Sequence, residues 1–218
     1  MSRGQRIAGV GVVTVVFLAL VALYLFDFLF VSPAPVSAAI SDGTAHLVLQ
    51  TVPTYGHSPD PDWVSYLAED AHGHWQHTTY FKIPAHTLVS VTIYNYDTPT
   101  GLRNNFMGQV RGTTGGTIDL DGKPLSTLDP DDTSHTWSVP DLGINIPIGG
   151  VNPNAKNPCS AAPCSLAEAH TTVTFTFMSP GKGNYRWQCF VPCAAGFYLG
   201  NGGPMQTIGW MDGVLEVV

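Results

Sequence analysis

Residues 184–200 read Asn-Tyr-Arg-Trp-Gln-Cys-Phe-Val-Pro-Cys-Ala-Ala-Gly-Phe-Tyr-Leu-Gly, a β-like run that leads into a loop of small residues. The loop holds two cysteines four positions apart, Cys189 and Cys193. A tight turn brings two thiolates at this spacing to one side of the chain. There the soft sulfur ligands bind copper or close on each other as a disulfide. The residues alone leave both outcomes open.

The rest of the chain reads mainly as short strands. Alternation of apolar and polar residues predicts strands over residues 44–51, 78–83, 87–95, 134–139, 171–178 and 213–218. One short helix is predicted around residues 62–71, and residues 98–133 read as a long insertion with a short strand near 117–120. Many short strands separated by turn signals are typical of an antiparallel sandwich or barrel, so the predicted fold class is mainly β.

An apolar run near the N-terminus predicts a membrane anchor. Residues 7–31 are apolar at all but two of their 25 positions, which is enough to span the hydrocarbon core as a helix. Arg3 and Arg6 precede the run, and the next basic residue is Lys82. This bias predicts that the N-terminus is cytoplasmic and the remainder extracytoplasmic.

The predicted layout is therefore a cytoplasmic segment at residues 1–6, a transmembrane helix at 7–31, a linker at 32–43 and an extracytoplasmic domain at 44–218. The localisation that follows is a single-pass protein of the cell membrane. A cleaved signal peptide is the alternative, because Val36-Ser37-Ala38 has the small residues of a cleavage site.

Charge and cysteine usage restrict the classes of partner and compartment. The net charge of −7 argues against nucleic acid, whose phosphates require a basic surface. Four cysteines outside the membrane would lie in an oxidising compartment. Cys159 and Cys164 are close enough in sequence to close the tip of a loop, so a disulfide between them is predicted.

A histidine-rich segment is a second, weaker candidate for metal binding. His72, His74 and His77 lie within six positions, and imidazoles at this density suit copper or zinc. The alternative is a solvated cluster of loop histidines. No nucleophile elbow, phosphate loop or paired catalytic carboxylates are found, so nothing indicates an enzyme acting on a small organic substrate.

Two motifs and the terminal strand, taken in order, resemble a known family. The first is Ser134-His-Thr-Trp-Ser-Val-Pro-Asp-Leu-Gly143, and the second runs from Pro180-Gly through Tyr185-Arg-Trp-Gln-Cys-Phe-Val-Pro-Cys-Ala194. With the strand at 210–218, they resemble the cupredoxin domain of cytochrome c oxidase subunit II over roughly residues 86–218. The resemblance implies a Greek-key, cupredoxin-like β-sandwich preceded by one transmembrane helix.

The resemblance also implies a copper site and its ligands. The family uses two thiolates, two imidazoles, a thioether and a backbone carbonyl around a dinuclear copper centre that accepts an electron from cytochrome c. By position, His135 matches the first imidazole, Cys189 and Cys193 match the thiolates, and the carbonyl of Val191 matches the backbone donor.

Two positions depart from the family pattern. Phe197 stands where the second imidazole is expected, and Gly200 stands where the thioether is expected. Neither side chain binds a metal, which argues against an ordinary dinuclear centre. Two interpretations remain. One is a mononuclear copper site formed by His135, one or both cysteines and Met205. The other is a metal-free structural or interaction module with a Cys189–Cys193 disulfide.

The expected role follows from the first interpretation. It is copper binding or electron transfer beside a respiratory chain, at most as a non-catalytic or electron-transfer subunit. Oxidase subunits or a basic cytochrome on the acidic face are the expected partners, together with the membrane. Copper delivery to an oxidase is a third hypothesis.

Overall fold

The computed structural model describes residues 3–25, 33–56, 61–101, 104–193 and 203–218. The chain divides into two units, Met1–Ser32 and Pro33–Val218. Phe197 and Gly200, the two departures from the family pattern, lie outside the described residues.

The described part of the first unit contains the helix α1 at Arg3–Tyr24. No helix within the described ranges is long and apolar enough to cross a membrane. The prediction of a transmembrane span at 7–31, with a single-pass protein, a cytoplasmic N-terminus and an extracytoplasmic domain, is therefore corrected. Residues 26–31 of that span lie outside the described residues.

The second unit is built from short strands, which confirms the mainly β prediction. In chain order the strands are β1 Val36–Ser37, β2 Ala39–Ser41, β3 Thr44–Val52, β4 Ser65–Glu69, β5 Trp75–Gln76, β6 Tyr80–Ile83, β7 Leu88–Asn95, β8 Ile118–Leu120, β9 Lys123–Leu125, β10 Thr133–Val139, β11 Ile144–Gly149, β12 Thr171–Met178, β13 Gly183–Gln188 and β14 Asp212–Val217.

These strands form two sheets. The first has the order β1-β6-β14-β13-β10-β11, and the second has the order β5-β4-β3-β7-β12-β8-β9, with β2 paired to β3. Most neighbours are antiparallel, but three pairs are parallel: β3 with β7, β6 with β14, and β1 with β6. Each sheet is therefore mixed rather than purely antiparallel.

The core contains the inward faces of both sheets. Strand β7 alternates half-buried and buried residues along its whole length, as expected of a strand with one face in the core. Two tryptophans, Trp137 of β10 and Trp187 of β13, are fully buried and lie with their ring centroids 6.1 Å apart. Both tryptophans lie on strands that lead to the candidate site, so these two strands are packed firmly against the core.

Two segments differ from their predictions, and a third contains a strand that was predicted. The helix predicted at 62–71 is replaced by β4, whose residues Ser65, Tyr66, Leu67 and Ala68 are all buried. The predicted linker at 32–43 contains β1 and β2. The insertion at 98–133 contains the strand predicted near 117–120 as β8, together with β9, and β8 pairs with β12, so part of the insertion belongs to the second sheet.

Candidate metal centre

A β-bulge sets the direction of His135. In the pairing of β10 with β11, Thr133 lies opposite Gly149 and His135 lies opposite Ile148, so Ser134 is an extra residue. A bulge of this kind changes the direction of the side chain beside it. The side chain of His135 is fully buried and lies beside the loop that follows β13.

The cysteine loop is anchored to the same strand by Thr136. The hydroxyl of Thr136 accepts a hydrogen bond from the backbone N–H of Phe190 at 2.8 Å. The backbone N–H of Thr136 points at Cys189 Sγ, 3.3 Å away. On the other side, the N–H of Cys189 donates to the carbonyl of Met211 at 2.9 Å. Cys189 is therefore held from both sides by backbone groups.

His135, Cys189 and Cys193 come together. His135 Nδ1 lies 2.8 Å from Cys193 Sγ and 3.9 Å from Cys189 Sγ, and the two sulfurs are 3.2 Å apart. Both cysteines are free thiols. The carbonyl oxygen of Val191 lies 3.1 Å from Cys193 Sγ and 3.6 Å from Cys189 Sγ, beside the position expected of a backbone donor.

The three side-chain donors fit a single metal ion. A point equidistant from the three atoms lies about 2.0 Å from each of them, close to the roughly 2.0–2.3 Å of metal–nitrogen and metal–sulfur bonds. Two thiolates and one imidazole form a soft donor set of the kind that copper(I) prefers. Cys189 is fully buried and Cys193 is half-buried, so the cluster reaches solvent at its Cys193 side.

Asp97, just beyond the end of β7, contacts the far side of the His135 ring. His135 Nε2 lies 3.2 Å from Asp97 Oδ2, an ion-pair distance, although the contact does not have hydrogen-bond geometry. Burial lowers the pKa of His135, but contacts with Asp97 and Cys189 outweigh it and raise that pKa to about 9. Burial raises the pKa of Asp97, and His135 reverses the effect, so the net shift is downward.

The two thiols ionise unequally. Burial opposes ionisation of both, but at Cys189 contacts with Cys193 and His135 overcome it and hold the pKa well below its usual range. At Cys193 burial and the negative charge of Cys189 act together and raise the pKa well above its usual range. The two shifts differ in direction because the negative charge of an ionised Cys189 disfavours ionisation of Cys193.

Met205 lies in a short turn after the cysteine loop. The one-turn 3-10 helix Pro204–Gln206 contains it, and its carbonyl accepts a hydrogen bond from the side chain of Gln188 at 2.9 Å. Its side chain is partly buried against the core. A thioether bond from Met205 to a metal stays a prediction.

The histidine-rich segment is not gathered into a cluster. Two groups of histidine, cysteine and acidic side chains in the described residues lie close enough to hold one ion, and His72, His74 and His77 belong to neither. His74 is exposed, and the His72 and His74 rings lie 6.4 Å apart between centroids. His77 stacks on Tyr55 at 3.8 Å and lies 2.9 Å from the hydroxyl of Ser65.

The second group of possible metal ligands contains a disulfide. It consists of Cys159, Cys164 and Glu168, and the two cysteines form a disulfide, as predicted. The side chain of the buried Gln50 makes hydrogen bonds in both directions with the backbone of Cys164. This pair therefore fixes the loop at 149–170 to the second sheet.

Sequence reasoning missed two residues at the site, Asp97 and Tyr66. Tyr66 of β4 is fully buried, and its hydroxyl donates to the carbonyl of Thr136 at 3.3 Å. Burial raises the pKa of Tyr66, and the charge on Cys189 and Cys193 raises it further. One feature of the sequence could have identified Asp97, because it is an acidic residue immediately after a clear strand. No such feature identifies Tyr66, because the pattern of its segment predicts a helix.

Comparisons with known proteins give structural likenesses of low identity. No family model matches the chain, and no curated protein matches it. Among solved structures, the chain is similar to the copper(I)-bound metal-binding domain of the copper(I)-exporting P-type ATPase CopA of Streptococcus pneumoniae, with 11% identity and a TM-score of 0.39 over 86% of this chain and 99% of that one.

The chain is also similar to the copper protein rusticyanin, with 18% identity and a TM-score of 0.31 over 86% of this chain and 85% of that one. A Met148Gln mutant of rusticyanin matches at 16% identity, with a TM-score of 0.27 over 83% of this chain and 86% of that one. None of these comparisons identifies oxidase subunit II, so that resemblance stays a prediction.

Proposed function

We propose that this chain is a copper-binding protein of cupredoxin type, with His135, Cys189 and Cys193 as its metal ligands. The observation that carries the proposal is the convergence of one imidazole nitrogen and two sulfurs, all within 3.9 Å of one another. His135 lies in β10, and both cysteines lie in the loop after β13, the neighbouring strand of the same sheet, so the fold itself brings them together.

The donor set favours copper over zinc. Structural zinc sites take four protein ligands in a tetrahedron, whereas the described residues supply three side-chain donors here. Thiolates are soft ligands that suit copper(I) as well as zinc, so the number of donors is what favours copper. When bound, copper would supply a one-electron redox couple. The protein's own residues would hold it in place, keep it largely from water and set its surroundings.

Burial and backbone anchoring favour electron transfer as the activity. His135 and Cys189 are fully buried, and Cys189 is fixed by the backbone of Thr136 and Met211. Donors held in this way do not rearrange when the charge of a bound ion changes. The half-buried Cys193 leaves one side open to a partner, and the net charge of −7 favours a basic one.

Metal reconstitution tests the proposal. The full chain is incubated anaerobically with copper(I) or with zinc, desalted and analysed for metal and free thiols. We expect one copper per chain and stronger binding of copper(I) than of zinc. A variant that combines His135→Ala, Cys189→Ser and Cys193→Ser should bind neither metal. A wild-type protein that takes up no copper and has its Cys189 and Cys193 oxidised to a disulfide would favour the metal-free module instead.

Electron transfer and copper delivery are then separated by kinetics. An electron-transfer protein would cycle between copper(I) and copper(II) with the metal retained, and its rate with a basic redox partner would fall as salt rises. Release of the copper to a competing thiol protein without such cycling would indicate delivery.

A further inference from the structure

The carboxylate of Asp97 is the polar group that faces the back of the His135 ring. Its Oδ2 lies 3.2 Å from Nε2, while the opposite nitrogen, Nδ1, lies 2.8 Å from Cys193 Sγ. The side chain of His135 is fully buried, and Nε2 has no hydrogen-bond partner elsewhere in the described parts of the chain. The Asp97 carboxylate is therefore the group that compensates a buried proton on Nε2 for its loss of contact with water.

Asp97 is itself fixed by its neighbours. The backbone N–H of Thr98 donates to Asp97 Oδ1 at 2.7 Å, and the backbone N–H of Asp97 donates to the side-chain oxygen of Asn95 at 3.2 Å. The carbonyl of Asp97 accepts from the Asn95 side chain and from the N–H of Val151, both at 2.9 Å. The carboxylate is thus held by a short, closed turn.

That turn is joined to both sheets through Asn95. Asn95 is fully buried, and its side chain accepts from the hydroxyl of Thr51 and donates to the carbonyl of Gly149, both at 2.9 Å. Thr51 lies in β3, and Gly149 ends β11 opposite Thr133. The network therefore runs from the second sheet to the bulge that directs His135.

We propose that Asp97 is a positioning residue of this site, which keeps a proton on Nε2 of His135 and so leaves the Nδ1 lone pair facing the two sulfurs. The inference rests on the proposed copper site. Metal-binding histidines generally donate their second ring N–H to a carboxylate or carbonyl, which fixes the ring and its tautomer. The Asp97 carboxylate lies at ion-pair distance from Nε2 of His135, on the side of the ring away from the two sulfurs, with Asn95 as its support.

Two substitutions and a control separate positioning from simple packing. Asp97→Leu removes the carboxylate at similar size, whereas Asp97→Asn keeps a side-chain oxygen at the position that faces Nε2. Asp141→Asn changes an exposed aspartate just after β10 and serves as the control. Copper(I) affinity is measured by chelator competition on the full chain, and the unfolding midpoint of each metal-free variant is recorded beside it.

We expect Asp97→Leu to lower copper(I) affinity by about 10- to 100-fold. We expect Asp97→Asn to restore it to within a few-fold and Asp141→Asn to match the wild type. A purely structural role would move the unfolding midpoint and leave the ligation unchanged. The second readout is therefore the ¹⁵N spectrum of ring-labelled histidine in the copper(I)-loaded protein, where the wild type and Asp97→Asn should show Nδ1 bound and Nε2 protonated.

The outcomes are distinct. Wild-type protein that binds no copper overturns the proposed function and this inference with it. Wild-type protein that binds copper, together with an Asp97→Leu variant of equal affinity and identical ¹⁵N spectrum, overturns only the inference. A wild-type spectrum with Nε2 bound to copper also overturns it, because Asp97 would then face the metal side of the ring.

Discussion

The sulfur of Cys193 lies 2.8 Å from Nδ1 of His135, although 58 positions separate the two residues in the sequence. The contact exists because β10 and β13 are neighbours in one sheet, with Ser138 opposite Gln188. His135 precedes that pair by three residues and Cys189 follows it by one. The geometry of the cluster therefore depends on the contact between these two strands and on the groups that hold the cysteine loop against β10.

Thr136 is the main such group, and replacing it should loosen the loop. Thr136→Val keeps the shape but removes the hydroxyl that accepts from the N–H of Phe190. A half-buried N–H that loses its partner should lower the free energy of unfolding by about 1 kcal/mol. We also expect weaker copper(I) binding, since Cys189 and Cys193 would be held less firmly.

Urea unfolding and chelator competition measure the two effects of Thr136→Val. Thr136→Ser is the matched control because it retains the hydroxyl, and it should recover most of both losses. Equal stability and equal affinity of the valine variant would show that the hydroxyl does not hold the loop.

Met205→Leu tests whether the thioether contributes to the site. The Met205 side chain packs against the core, and its carbonyl, which the substitution retains, binds Gln188. If Met205 only fills space, the leucine variant should lose less than about 1.5 kcal/mol of unfolding free energy and keep its copper(I) affinity within a few-fold. We expect this result, because the proposed site has His135, Cys189 and Cys193 as its ligands, and the prediction of Met205 as a further ligand would then be wrong. A large loss of affinity with a shifted thiolate-to-copper absorption band would instead make Met205 a ligand.

The strands that could be predicted are those with one face in the core. Residues 171–178 alternate strictly, and β12 occupies the same residues. The prediction of a helix at 62–71 is wrong for the opposite reason. In β4 both faces are buried, so polar and apolar residues do not alternate. The spacing of Trp63, Tyr66 and Leu67 then imitates one face of a helix.

The site was predictable only where its signal was local or part of a known pattern. Cys189 and Cys193 are four positions apart, so one loop brings them together. His135 was found through its motif. Asp97 reaches His135 only through the fold, across a 38-residue interval that contains β8 and β9, and no spacing in the sequence encodes that contact.

The pH dependence of stability should include a contribution from Asp70. Backbone N–H groups of His74 and His72 donate to its carboxylate and lower its pKa to about 2, from an ordinary value of 3.8. A lowered folded-state pKa means that the ionised carboxylate stabilises the fold above about pH 4. That contribution should disappear as the pH falls from about 4 to about 2.

Asp70→Asn removes this titration. Unfolding midpoints recorded between pH 5 and pH 2 should therefore fall less steeply for the variant than for the wild type, whereas Asp141→Asn, at an exposed position, should follow the wild type. Parallel curves for Asp70→Asn and wild type would mean that these hydrogen bonds do not favour the ionised form.

The pair formed by Arg186 and Asp212 should contribute more to stability than an ordinary surface pair. The Asp212 side chain is 1% exposed, and Arg186 Nε donates to its Oδ1 at 3.0 Å. Arg186→Ala would leave a buried carboxylate without its partner. Breaking a fully buried pair costs about 3–5 kcal/mol, but Arg186 is 62% exposed and water would replace part of its contact, so we expect a loss of about 2 kcal/mol.

The pair of Lys82 and Glu216 is the matched comparison, with its charged atoms 3.2 Å apart and both side chains partly exposed. Lys82→Ala should cost less than about 1 kcal/mol and less still at high salt. Adding Asp212→Asn to Arg186→Ala should recover part of the loss, because the buried charge is then gone. Urea denaturation of the wild type and these three variants measures the free energy of unfolding in each case. If Arg186→Ala and Lys82→Ala lower the free energy of unfolding by equal, small amounts, Arg186 is not needed to stabilise the buried charge of Asp212.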